Sequence, residues 1–137
     1  MLKIGVRLPA AFDSAGEFLA DARALESAGV DLLLLGEGDL ESEPLLAALA
    51  AATERVEIHG IAGDTVRKLA RGRLVAALEG WREAPFPEHR TAWRATLAQL
   101  EEEGAAGIIL DMDPRLLDLL RNPDVEDDRA DLQLAQG

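Results

Sequence analysis

Few side chains in this sequence can do chemistry, and most of them stand where an apolar run stops. "LLLLGEGD" at 32–39 sets Glu37 and Asp39 directly behind Leu32 to Leu35, and "IILDMDP" at 108–114 ends in Asp111 and Asp113. His59 closes "RVEIH", and Arg7 falls near the end of "KIGVRLP". Sites in parallel α/β proteins gather at the carboxyl ends of strands, so these positions are the candidates. A carboxylate there can act as acid or base, an imidazole can move a proton near neutral pH, and a guanidinium can hold an anion. Glu37 is the strongest of them, because it caps a fully apolar strand. Its plain alternative is a solvated loop carboxylate. For His59 the alternative is a half-exposed neighbour of Glu57 and Arg55.

Other residues offer less. Glu37, Asp111 and Asp113 could converge on a divalent cation, which favours oxygen ligands, although nothing in their spacing demands it. Asp113 is fully explained as a helix N-cap before Pro114 and "RLLDLL". Arg67, Lys68, Arg71 and Arg73 form the one basic concentration, suited to a phosphate, an acidic partner or simply a solvated helix face. Trp81 and Trp93 could stack on an aromatic ligand, but Trp93 falls on the apolar face of its helix and fits core packing. The absence of cysteine excludes disulfides, thiolate metal sites and a cysteine nucleophile. No nucleophile–histidine–acid arrangement can be traced.

The elements that must position these residues follow from pattern. "LKIGVRLP" reads as a first strand stopped by Pro9. Ser14 and Glu17 make a capping box for a helix carrying Phe18, Leu19, Ala22 and Leu25, which Gly29 closes. "DLLLLGEG" is too short for a helix and does not alternate, as expected for a strand covered on both faces. Ser42 opens a second helix with Leu45, Leu46 and Leu49 on one side. "RVEIHGIAG" at 55–63 is a third strand, with Val56, Ile58 and Gly60 alternating against Glu57 and His59. Residues 64–81 are open between one helix broken at Gly72 and a short helix followed by a strand at "RLVAAL". "REAPFPEH" reads as a loop before a helix with Trp93, Leu97 and Leu100. Gly104 ends that helix, "AGIILDMD" is a strand, and Asp113-Pro114 starts the last helix.

One echo supports this order. "ALESAGVDLLLLGEGD" and "QLEEEGAAGIILDMDP" share a helix end, Leu-Glu, a glycine, an apolar strand and then acids. Leu25, Glu26 and Gly29 match Leu100, Glu101 and Gly104 at one constant offset. Each copy is an α-to-β step of a parallel α/β protein.

Composition sets the outer bounds. The 137 residues, 48% hydrophobic and 29% charged, suit one globular domain over 1–123 with an acidic tail at 124–137. The net charge of −12 argues against nucleic acid and against anionic lipid, both of which need a basic footprint. No apolar leader opens the sequence and no run approaches a membrane span, so a cytoplasmic location is expected.

With these pieces in order, the chain resembles the luciferase-like flavin or deazaflavin monooxygenases. The resemblance rests on "KIGVRLP", "FLADARALESAGVDLLLLGEGD", "EPLLAALAAATERVEI", "ARGRLVAALEGW" and "FPEHRTAWRATLAQLEEEGAAGIILDMDPRLLDLL". It implies a (β/α)8-barrel frame reduced to roughly a half, since a full barrel runs to ~250 residues. It also implies a strand at 73–78, acid-base roles for Glu37 and His59, and FMN or deazaflavin near Arg7, Gly38, Gly60 and Asp111. Gly38 stands where the family commonly has a histidine. No glycine-rich phosphate cradle is present, so the isolated protein is not expected to retain either cofactor.

The leading expectation is therefore a self-assembling or partner-binding homologue with catalysis weak or lost, open to a small-molecule ligand. The alternative is an FMN- or deazaflavin-dependent oxidoreductase whose site is completed across a dimer. Half a barrel should form an open sheet in the order third, second, first, last strand, with "RLVAAL" beyond the third. Its bare inner face predicts a homodimer.

Overall fold

The computed structural model describes residues 2–125, and the remainder of the acidic tail lies outside the described residues. The chain is α/β, with one parallel sheet of six strands and flanking helices. Strand β1 (Lys3–Leu8) is followed by α1 (Ala15–Ser27), β2 (Leu32–Leu35) and α2 (Ser42–Ala52). Next come β3 (Glu57–His59), α3 (Asp64–Ala70), β4 (Leu74–Val75) and β5 (Trp81–Glu83). Helix α4 (Arg90–Glu102), β6 (Gly107–Asp111) and α5 (Leu116–Arg121) complete the order. The strands lie as β4-β3-β2-β1-β6-β5. That is the expected order with one strand added at the β6 edge.

Local chemistry explains most boundaries. Ser14 Oγ accepts from the Glu17 amide at 3.2 Å, giving one half of the expected capping box. The echoed glycines do the same work twice. The Gly29 and Val30 amides donate to Glu26 and Leu25, as the Gly104 and Ala105 amides donate to Glu101 and Leu100. Both glycines are left-handed, at φ 97° and 79°. Each helix thus stops in the same turn and drops straight into a central strand.

Three expectations are corrected or narrowed. The third strand ends at His59, so Gly60 lies in the following loop, although its amide still donates to Val75. The ambiguous stretch is a two-turn helix, a left-handed Arg71-Gly72 break and a strand of only two residues. "REAPFPEH" is not all loop, because Arg82 and Glu83 belong to β5. So short a segment carries no period of its own; its backbone is ordered by pairing with β6.

All five helices among the described residues pack on one side of the sheet. Phe18, Leu25, Leu46, Leu49, Val66, Trp93, Leu116 and Leu119 meet Val6, Leu8, Leu33, Ile58, Ile108 and Leu110 in one core. Leu32, Leu34 and Ile109 face the other way, yet they are buried to within 4% under Val75, Leu78 and Trp81. Strands about 4.8 Å apart would separate β4 from β5 by roughly 24 Å in a flat sheet of six. The step from Val75 to Trp81 reaches at most about 21 Å and must also descend from the top of β4 to the foot of β5. The sheet is therefore curled, with residues 76–80 laid across its hollow side. The inner face that was expected to need a second copy is covered by the chain itself, and that reason for pairing falls away.

Glycines make the cover fit. A Cβ at Gly107 would stand 2.4 Å from Trp81 Cζ3, and one at Gly5 would stand 3.1 Å from the same atom. The indole lies on a floor that only glycine leaves free.

Candidate functional site

Register places the concave side chains in layers. Arg7 pairs with Leu34 on one side and Asp111 on the other, and His59 pairs with Val75. Continuing the β2–β3 register by one residue sets His59 beside Leu34. The upper layer is thus Val75, His59, Leu34, Arg7 and Asp111. Beneath it lie Glu57, Leu32, Gly5, Ile109 and Glu83, and Trp81 closes the foot with Gly107.

Of the residues expected to form a site, the fold brings two into contact. Arg7 Nη1 donates to Asp111 Oδ1 at 2.9 Å, while Nη2 pairs with Glu83. The stem of Arg7 passes over Gly36, where a Cβ would stand 3.0 Å from its Cγ and Cδ. His59 shares the layer two strands from Arg7, half-buried, and its ring makes no hydrogen bond among the described residues. Glu37 is exposed and its carboxylate has no partner among the described residues. Its carbonyl accepts from the Ala10 amide, which stitches the β2–α2 loop to the β1–α1 loop.

Gly38 belongs to that stitch. A Cβ there would stand 2.1 Å from the Ala10 carbonyl oxygen, so the position has room for no side chain, least of all a histidine. Gly60 has a packing reason too, since a Cβ would come within 2.7 Å of Leu46 Cδ1 on α2. These glycines answer to close packing.

The cation site weighed from sequence does not form. Among the described residues no group of three or more His, Cys, Asp or Glu side chains is placed to hold a metal ion. Asp111 is taken by Arg7. Asp113 accepts from the side chain and amide of Arg115, which hold its carboxyl down at about 2. Arg115 in turn lies 4.4 Å over the Phe86 ring. Helix α5 begins after this turn, at Leu116, later than Asp113-Pro114 implied.

Sequence reasoning missed the residues that hold the frame. Arg73 is buried and donates to the carbonyls of Ala70, Val56 and Ala50 and to Thr53 Oγ1, so it ties the ends of α2 and α3 to β3. Burial, with Arg71 nearby, lowers its pKa. Its place just after the Gly72 break is the one sequence signal that sets it apart from its exposed neighbours Arg67, Lys68 and Arg71. Glu26 grips the same turn from the other side, accepting from the amides of Glu54, Arg55 and Val56. Burial pushes its pKa up, but those amides and Arg55 outweigh it and the net shift is downward. His89 caps α4 through Nδ1, at 3.0 Å from the Ala92 amide.

A separate cleft of about 350 Å³ opens beside the β4 edge, lined by Gly60, Ile61, Ala62, Arg67, Leu74 and Ala76. No family model, curated protein or solved structure matches this chain.

A flavin does not fit the concave side. An isoalloxazine would have to displace Leu78 and Trp81 or part Arg7 from Asp111 and Glu83. Arg7 is the concave layer's guanidinium, and it is already neutralised by those carboxylates. No helix among the described residues is long and apolar enough to cross a membrane.

Proposed function

We propose that this protein is a luciferase-like homologue that binds a ligand or partner and carries out no flavin chemistry. The frame supports the first half of that reading. Its β1–α1–β2–α2–β3 order, its parallel strands and its helices on one face are what a part of a (β/α) barrel would retain. The observation that carries the second half is the cover formed by Val75, Leu78 and Trp81 over Leu32, Leu34 and Ile109. A chamber filled by its own chain has no volume for a ring system, and two of its acids, Asp111 and Glu83, are engaged by Arg7. Glu37 and His59 lie apart, without the mutual hydrogen bond that would tune either for proton transfer.

Cover over the inner face removes one of the two reasons for self-assembly, the other being the β4 and β5 edges, so binding at the surface is the description favoured here. The test is titration of the purified protein with FMN and with a deazaflavin, read by cofactor fluorescence and by Trp81 emission. Neither cofactor is expected to bind at micromolar concentration. Stoichiometric binding of either, with a change in Trp81 emission, would overturn the reading in favour of an oxidoreductase. Native mass measured in the same preparation is expected to be that of a monomer.

A further inference from the structure

We infer that the cleft beside β4 is a binding site for a small monocarboxylic acid with an apolar body. This rests on the binding reading above and names its ligand. The cleft is roomy enough for such a molecule, at about 350 Å³, near the lower end of ordinary ligand pockets. Its walls are mostly apolar, from Ile61, Ala62, Leu74 and Ala76. Ile61 is also 82% exposed, far more than any other large apolar side chain among the described residues. A ligand seated against it would remove that surface from water, which the chain by itself does not do.

The charge in the cleft selects the head group. Arg67 lines it and makes no ion pair or side-chain hydrogen bond among the described residues. It stands at the rim of an apolar hollow with no carboxylate of the described residues against it. A guanidinium takes a carboxylate through paired N–H donors. The amides of Ile61 and Ala62, on the same lining, are also unused within the described chain.

A phosphate suits the place less well. The Glu43 carboxylate already accepts from the Gly63 amide at 2.9 Å, and Asp64 follows next in the chain. Those acids weigh against a doubly charged head more than against a singly charged one. The cleft lies at the sheet edge, away from the filled concave side, and Gly72 on its lining leaves open space where a Cβ would be. Nothing on the chain needs to move for a ligand to enter.

The experiment is a ¹⁵N-resolved NMR titration of the whole protein with octanoate and benzoate, with 1-octanol and inorganic phosphate as controls. At least one carboxylate is expected to shift the amides of Gly60, Ile61, Ala62 and Gly72 saturably. Octanol and phosphate should bind at least about tenfold more weakly, which corresponds to about 1.4 kcal/mol. Arg67→Gln, at an exposed position, should leave the rest of the spectrum in place and weaken the carboxylate by a similar factor. No saturable shift at these amides with either carboxylate overturns the site. Equal binding of octanol or phosphate, or of the Arg67→Gln variant, overturns the assigned head group. Flavin binding is read at Trp81 on the concave side, so failure of this site and failure of the wider reading are told apart.

Discussion

Gly107→Ala tests whether Trp81 really roofs the hollow side of the sheet. The new methyl would meet Trp81 Cζ3 and Cε3 at 2.4 and 2.6 Å and the Lys3 carbonyl oxygen at 2.8 Å. The indole must then lift, and overpacking of this kind costs about 1–3 kcal/mol. Trp81→Ala alone should cost about 2 kcal/mol, below the range for a fully buried tryptophan because Trp81 is only half-buried. In the Trp81→Ala background the ring contacts are gone and the Lys3 contact remains, so Gly107→Ala should cost less than it does in the native chain. The expected coupling is about 1–2 kcal/mol. Urea denaturation of the four proteins, followed by circular dichroism, gives the cycle. Trp93 is 2% exposed and serves as the internal fluorescence reference. A cycle that closes to within about 0.5 kcal/mol would refute the placement of Trp81 on Gly107, and with it the argument that the chamber is filled.

The Arg73→Gln variant should lose about 3 kcal/mol or more, since the carbonyls of Ala50, Val56 and Ala70 lose their donor; a cost under about 1 kcal/mol in urea would contradict its role. Glu26 titrates below its ordinary value of 4.5, so its stabilisation is full above that pH and is lost as pH falls through the lower folded value. The stability gap between the native chain and Glu26→Gln should accordingly shrink on acidification below about pH 4.5 and stay flat above pH 6, as read from urea midpoints across pH. Gly38→His should destabilise the protein without creating flavin affinity, because the Ala10 carbonyl occupies the space; a variant as stable as the native chain in thermal denaturation would show the stitch to be loose.

The sequence by itself determined the parts that depend on neighbours along the chain. Ser14 and the paired glycines 29 and 104 set helix ends by local hydrogen bonds, and unbroken apolar runs marked the central strands. The strand order also followed from the resemblance to a barrel family. The site was legible only as a set of strand ends. Arg7 and Asp111 do meet there, because adjacent parallel strands in register must bring their last residues together. Glu83 joined them unannounced, since a strand as short as β5 exists only through its pairing with β6. Tertiary structure alone decided that Arg73 is a buried hub and that Gly38 and Gly60 serve packing. It also decided that Trp81 and Leu78 close the hollow face. Each of those outcomes is a contact between segments far apart in sequence, where shape and unsatisfied carbonyls, not local periodicity, choose the partner.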